Sequence, residues 1–295
     1  MPSGALLFQS LILGVLLGGL YALLAAGLTL YFGIMRVVMI AHSAFLILAA
    51  YLAWYFHERT GLDPLLSLLV TVPLFFGAGV AMQRLLLARL RPMTLTMMSV
   101  LLTFSVALAI EGTLGYVFTG TQRRVRLGYS GASLEFFGAR IAVVKLIAFL
   151  LAAAAMLALY LLMKRSRFGQ ALRATIQHKD AAQLVGIDTD RIAGYGFGLG
   201  LATAAIGGTA LALDSTIYPS LHWHWIGPLM AIIVVGGLGS VPGAAIAAMV
   251  LGVLQAVLQI PFGTTWAQTV FYLALFATLA IRPQGFFGGR LAQRF

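Results

Sequence analysis

The chain contains no cysteine and very little charge. Without cysteine it has no disulfide, no thiolate metal site and no catalytic thiol. Charged residues are 9% of its 295 positions and hydrophobic residues 61%. A typical soluble domain has about 25% charged and roughly 45–50% apolar residues. Too little charge remains to cover a water-exposed surface, which excludes a soluble enzyme, a nucleic-acid binder and a disordered chain. Acidic residues are scarcest, 8 against 19 Lys and Arg. That disfavours a proton-driven carrier, which needs several intramembrane acids. Phosphate-binding chemistry is missing too. Lys145, Lys164 and Lys179 follow Val144, Met163 and His178, so none ends a G-x-x-x-x-G-K loop. There is no H-E-x-x-H pair and no G-x-S-x-G turn. No metal site and no cofactor are implied.

What the chain has in abundance is apolar runs of membrane-span length. Nine blocks stand out: 5–32, 37–56, 64–82, 93–118, 142–163, 192–213, 225–240, 243–260 and 265–281. About 20 helical residues cross a ~30 Å hydrocarbon core. The pattern predicts an all-α polytopic membrane protein, one domain over 1–295, with about eight to nine transmembrane helices and discontinuous or re-entrant segments. The first block has no basic segment before it and is too long for a signal-peptide core, so it reads as a mature span. The 225–240 block is short and runs into Gly236, Gly237, Gly239, Ser240, Pro242 and Gly243, as a broken or re-entrant helix would. A similar glycine-marked break follows Gly33, as in duplicated halves with discontinuous helices. Chance likeness of two apolar stretches explains it equally well.

If all nine blocks cross, 13 of the 19 basic residues, Arg36, Arg91, Arg290 and Arg294 among them, fall on one side. Basic residues collect on the cytoplasmic side, which favours an N-terminus outside and a C-terminus inside. Residues 119–141 are glycine-punctuated with short alternating stretches, a hairpin-like external element. Residues 164–191 hold six of the inner basics and show helical spacing of Phe168, Leu172 and Ile176, then Ala181, Ala182 and Val185. Gly186 stands where a helix would end, and Asp188 or Asp190 can cap the next. Two short amphipathic helices on the cytoplasmic face are expected.

Polar residues inside apolar blocks are the candidate functional groups. Glu111 lies within the fourth block, where a carboxylate costs roughly 2.5–3.5 kcal/mol on insertion scales and so faces a bundle interior or a wet cavity. It serves either as a hydrogen-bond partner to a neighbouring helix or as pathway lining. His42 has the same two readings, packing or pathway. The Gly236–Ser240 stretch permits close helix approach or an unwound break. His222, Trp223, His224 and Trp225 read as an interfacial aromatic belt in preference to a metal cluster. Met35, Met39, Met93, Met97 and Met98 read as packing.

Taken in order, these stretches resemble a known family. Gly19-Leu-Tyr-Ala-Leu-Leu-Ala-Ala-Gly-Leu-Thr-Leu-Tyr-Phe-Gly-Ile-Met-Arg-Val-Val, Ala41-His42, Ala50-Tyr51, Met98-Ser-Val-Leu-Leu-Thr-Phe with Glu111, Ser166-Arg-Phe-Gly-Gln-Ala-Leu-Arg-Ala, Ala181-Ala182 with Gly186-Ile187, Val235-Gly-Gly-Leu-Gly-Ser and Arg282-Pro-Gln-Gly-Phe-Phe-Gly are similar to the LivH-type inner-membrane permeases of bacterial ABC importers for branched-chain amino acids. The resemblance covers nearly the whole chain. One departure is Met39-Ile40-Ala41-His42-Ser43, where the family usually reads Asn-Phe-Ala-His-Gly. The resemblance implies a bacterial inner-membrane subunit working with a second permease, two ATP-binding subunits and a periplasmic solute-binding protein, with no nucleic acid. It places the substrate pathway at Met39, His42, Ser43, Glu111, Gly236, Gly237, Gly239 and Ser240. It places the ATPase-coupling loop at 164–191, with Phe168, Arg173, Ala181, Ala182 and Gly186. A secondary carrier, a channel and an intramembrane lipid-modifying enzyme are the rival readings. The enzyme would need an acid, a base and a nucleophile at one depth.

Overall fold

A computed structural model describes residues 4–35, 37–90, 95–136 and 139–288. Arg36, Arg91, Met93, Arg290 and Arg294 lie outside the described residues. The apolar runs fold as helices α1 (Gly4–Met35), α2 (Ala41–Thr60), α3 (Leu68–Leu85), α4 (Leu95–Phe118) and α5 (Val143–Arg165). Two short helices follow, α6 (Arg167–Gln177) and α7 (Lys179–Leu184). Then come α8 (Thr189–Asp214), α9 (His222–Gly236), α10 (Val241–Ala267) and α11 (Thr269–Ile281). One antiparallel hairpin, β1 (Ser133–Phe136) and β2 (Ala139–Ala142), pairs Ser133 with Ala142 and Glu135 with Arg140.

The molecule is a polytopic helical bundle. Among the described residues, six helical stretches are long and apolar enough to cross a membrane: Leu6–Met35, Pro64–Arg89, Met97–Phe118, Val143–Arg165, Thr189–Asp214 and Val241–Ala267. That is fewer than the eight or nine expected. The α2 helix carries His57, Glu58 and Arg59 in its last turns, which lowers its hydropathy. Helices α9 and α11 have 15 and 13 residues. At ~1.5 Å per residue they reach about 22 and 20 Å, short of a ~30 Å core.

Burial sorts the helices into an axis and a rim. In α8, 89% of the apolar window is buried, against 22% in α4 and 17% in α5. A run that rich in glycine and alanine can sit at the centre because neighbours approach its backbone closely. The rim helices instead expose Leu69, Tyr116, Leu157 and Phe276 outward, as lipid-facing surfaces do. One close crossing is α1 on α10. A β-carbon on Gly252 would lie 2.6 Å from Gly18 Cα, and one on Gly14 would lie 2.6 Å from Val253 Cα. Dispersion contacts between bare backbones hold this pair, since lipid leaves little hydrophobic force between helices.

Contacts define two ends. At the hairpin end, Gln9 donates to the Arg140 carbonyl, His57 meets the Arg126 carbonyl, Tyr129 donates to Asp63 and Arg123 bridges to Ile217. Burial, then the Asp63 bond, push the Tyr129 phenol well above its usual range. At the other end, the loop end, lie the break between α1 and α2, the α6–α7 pair and the break between α9 and α10. Helix α1 therefore starts at the hairpin end, and α11 finishes at the loop end.

Candidate functional site

Two helix breaks meet at the loop end. The first lies between Met35 and Ala41. Thr103 of α4, wholly buried, clasps it: its hydroxyl donates to the Val38 carbonyl at 3.2 Å and accepts from Ile40 N at 3.3 Å. Peptide groups freed by a break inside a membrane need such partners. The second break runs from Gly236 to Ser240. Gly237 and Gly239 take φ of +99° and +84°, conformations that a β-carbon resists. Ser240 then caps α10, its Oγ accepting from Gly243 N at 3.2 Å. The tail closes over this break, with Phe286 N donating to the Val235 carbonyl at 3.0 Å. The last turns of α1, just before the first break, touch the second: Gly239 Cα lies 3.5 Å from where a β-carbon on Gly33 would sit.

The expected pathway residues divide between two places. Met39, His42 and Ser43 line the start of α2 and are wholly buried at the α1–α8 seam. His42 Nδ1 lies 3.3 Å from the Tyr31 hydroxyl, and the Ser43 hydroxyl donates to the Ile40 carbonyl at 3.3 Å. Gly236 and Gly237 are buried, while Gly239 and Ser240 are partly open. Glu111 stands apart from both groups. It lies eight residues beyond Thr103 on α4, about 12 Å along the axis at ~1.5 Å per residue. There it accepts from Trp223 Nε1 at 3.1 Å and meets His222 Nε2 at 3.0 Å. His222 is 1% exposed and the Glu111 side chain 25%. Glu111 therefore ties α4 to the start of α9, the neighbour-helix reading, and does not join the breaks.

The His-Trp-His-Trp run is correspondingly not a belt. His222 and Trp225 are buried, Trp225 packing on Tyr21 with ring centroids 5.6 Å apart. His224 is exposed and lies 2.5 Å from Gln268 Nε2. Because His222 pairs with Glu111 seven residues before the end of α4, α9 begins about 10 Å inside the bundle. Residues 215–221 dip in to reach it. The discontinuous helix is thus interrupted at both its ends, not only at the glycines.

The 164–191 loop forms α6 and α7 as the spacing predicts, but their apolar side turns inward. Leu172 is wholly buried and packs with Leu30, Ile34 and Ala193, and Phe168 and Ile176 pack against the same cluster. Phe168 lies 6.1 Å from Tyr195, centroid to centroid. Arg173 folds back onto the Met163 carbonyl and so caps the C-terminus of α5. Ala182 is buried at 3% exposure, whereas Ala181 is exposed. That apolar face therefore serves this chain's own core. A period of 3.6 shows that a face is apolar but not what it faces. The free apolar knob lies further on, at Leu184 (89% exposed) and Val185 (76%). Gly186, φ +85°, ends α7: its N donates to the Gln183 carbonyl at 2.9 Å, and Ile187 N donates to the Ala182 carbonyl at 3.0 Å. Asp188 caps α8 through Arg191 N at 3.0 Å.

Sequence reasoning named Gly33 only as the mark of a break and Ile176 only by its helical spacing, and gave no part in this assembly to Thr103, Tyr31 and Phe286. Ile176 Cδ1 lies 3.6 Å from where a β-carbon on Gly33 would sit, on the same glycine that Gly239 touches. The only advance signal was that glycine marks each break.

These features define a helical membrane protein of the permease kind, with paired helix breaks over a docked amphipathic loop. A family model described as "Branched-chain amino acid transport system / permease component" matches residues 10–279, and the chain belongs to that family. It is 29% identical to the high-affinity branched-chain amino acid transport system permease protein LivH of Salmonella typhimurium, over 95% of both chains. It is 27% identical to the corresponding protein BraD of Pseudomonas aeruginosa, again over 95% of both. To a probable branched-chain amino acid transport permease protein LivH of Methanocaldococcus jannaschii it is 28% identical, over 93% of this chain and 90% of the relative. No solved structure matches the chain.

Proposed function

We propose that this chain is a permease subunit of an ABC importer for branched-chain amino acids or a related small solute. It forms the pathway with a second permease, is driven by two ATP-binding subunits and receives solute from a periplasmic binding protein. It sits in the bacterial inner membrane with the hairpin end outside and the loop end in the cytoplasm. The orientation rests on the excess of basic residues at the loop end.

One contact series carries the reading. Ile176 of α6 rests on Gly33, and Gly33 rests on Gly239. A push on the 164–191 loop is therefore delivered to the end of α1, just before the first break, and through it to the second break. Packed interiors transmit such displacements because they deform little. The ATPase meets the loop through Leu184, Val185, Ala181 and Gly186, while Phe168, Arg173 and Ala182 hold the loop to the bundle. Met39, His42, Ser43 and Gly236–Ser240 line the inner gate. Glu111 braces the helix that carries the second break.

The test is uptake of radiolabelled L-leucine into proteoliposomes holding this chain with its neighbouring-gene permease, ATPases and binding protein. Uptake is expected to need ATP inside the ATPase-facing compartment and all partners. Equal uptake by this chain alone, without ATP, would make it a carrier or channel instead.

A further inference from the structure

A second polar assembly occupies the hairpin end, remote from the helix breaks. The outer halves of α1, α5, α8, α9 and α10 enclose a cavity of about 410 Å³, within the roughly 300–1,000 Å³ range of small-molecule sites. Two kinds of wall face each other. The polar wall holds Lys145, Asp214, Ser215, Gln255, Gln259 and Gln268. The apolar wall holds Leu13, Leu16, Leu17, Leu20, Ala148 and Leu211.

The polar wall contains both signs of charge. Lys145 Nζ lies 2.7 Å from Asp214 Oδ2, and the side chains are 41% and 28% exposed. An ammonium has three N–H donors and a carboxylate about four acceptor positions, so one shared bond leaves both with capacity. Gln255 and Gln259 stand four residues apart and so share one face of α10, and that face lines the cavity. The Tyr21 hydroxyl donates to Gln255 Oε1 at 3.2 Å, halfway along α1. Amide side chains at that depth are costly against lipid and settle at a wet interior. Opposite charges, neutral amides and an aliphatic wall in one chamber match a ligand with the same three parts.

We propose that this cavity binds a small zwitterion with an aliphatic side chain, its carboxylate on Lys145, its ammonium on Asp214 and its side chain against Leu16, Leu20 and Ala148. The choice of an amino acid as that zwitterion rests on the importer reading. The geometry of the cavity does not.

The full chain in lipid nanodiscs is irradiated with photo-leucine, the diazirine analogue of L-leucine, and the labelled peptides are mapped by mass spectrometry. Labels are expected on the outer half of α1 and around Ala148, and excess L-leucine should reduce them at least tenfold. On the native chain, 4-methylpentanoate, which lacks the ammonium, and isopentylamine, which lacks the carboxylate, should each compete at least tenfold more weakly. The variant K145M/D214L should lose at least tenfold in labelling. Replacing an ion pair with apolar residues of similar volume is often neutral for stability, and the two competition arms decide the matter if this variant does not fold. Absent labelling, labelling elsewhere, or equal competition by either one-charge analogue overturns the site. ATP-driven uptake by the assembled importer without cavity labelling removes the site and keeps the importer. Cavity labelling without such uptake does the reverse.

Discussion

At the hairpin end α5 and α8 meet through side chains, Lys145 on Asp214 at 2.7 Å, whereas at the loop end α1 and α9–α10 meet through backbone, Gly33 against Gly239. The two joints behave differently under load. A side-chain pair at a cavity wall can exchange its bond for one to a ligand without moving a helix. A glycine contact has no side chain to rearrange, so any change there displaces helix ends. The first kind of joint suits recognition and the second suits gating. The loop end also carries the free apolar knob of α7, so force from outside the chain has an obvious place to enter.

The largest expected effect breaks the loop end from outside. L184D/V185D puts two carboxylates where the docking knob stands, with little contact to the rest of the chain. ATP-coupled uptake should fall more than tenfold while the melting profile of the isolated chain stays put. Uptake within twofold of native would remove Leu184 and Val185 from the dock. Ala182→Asp, by contrast, buries a charge within the chain, so it tests folding before it tests coupling.

Next comes the backbone seam that joins α1 to α10. Gly252→Leu forces side-chain atoms into a gap where even a β-carbon would lie 2.6 Å from Gly18 Cα. Overpacking of this kind costs about 1–3 kcal/mol. A detergent denaturation series should show that loss, and an unchanged midpoint would mean the helices are free to slide apart.

The brace on α4 sharpens the comparison, because it too joins helices by side chains, Glu111 with His222 and Trp223. His222→Leu leaves Glu111 with Trp223 as its remaining protein partner, and because the Glu111 side chain is a quarter exposed the cost falls toward the low end of the about 1–3 kcal/mol for a buried unsatisfied group. Glu111→Gln keeps an acceptor for both donors and should cost less. If the two variants destabilise equally, the charge of Glu111 matters more than its hydrogen bonds.

These particulars show what a sequence discloses. The helices were legible because lipid demands long apolar runs, and the breaks because a glycine precedes the first and a glycine cluster marks the second. Glu111 was legible as a group in need of a partner. Its partner was not, since His222 lies 111 positions away and nothing local marks the pair. The same holds for Lys145 and Asp214, 69 positions apart, and thus for the whole hairpin-end cavity. The spacing of Phe168, Leu172 and Ile176 gave a correct helix and left its facing open. Fewer helices than the eight or nine expected are both long and apolar because α2 carries charge in its last turns and α9 and α11 are short, which apolar composition alone does not reveal.

The smallest expected effect concerns the turn after α7. Gly186 has φ +85° and nothing within 4 Å of where its β-carbon would be, so space is free and only backbone conformation resists a side chain. For an alanine that resistance is roughly 1–2 kcal/mol. The turn keeps two backbone bonds, Gly186 N to Gln183 O and Ile187 N to Ala182 O, that alanine can still make. Gly186→Ala should therefore lower stability slightly and leave uptake within threefold of native. Gly186→Trp meets the same backbone cost but adds a ring beside Val185, so it should impair coupling far more at similar stability. The contrast between these two substitutions separates a glycine needed for the turn from one needed for the dock. If alanine impairs uptake as severely as tryptophan, the conformation of the turn is what the ATPase reads. If neither does, the contact surface lies on Leu184 and Val185 without Gly186.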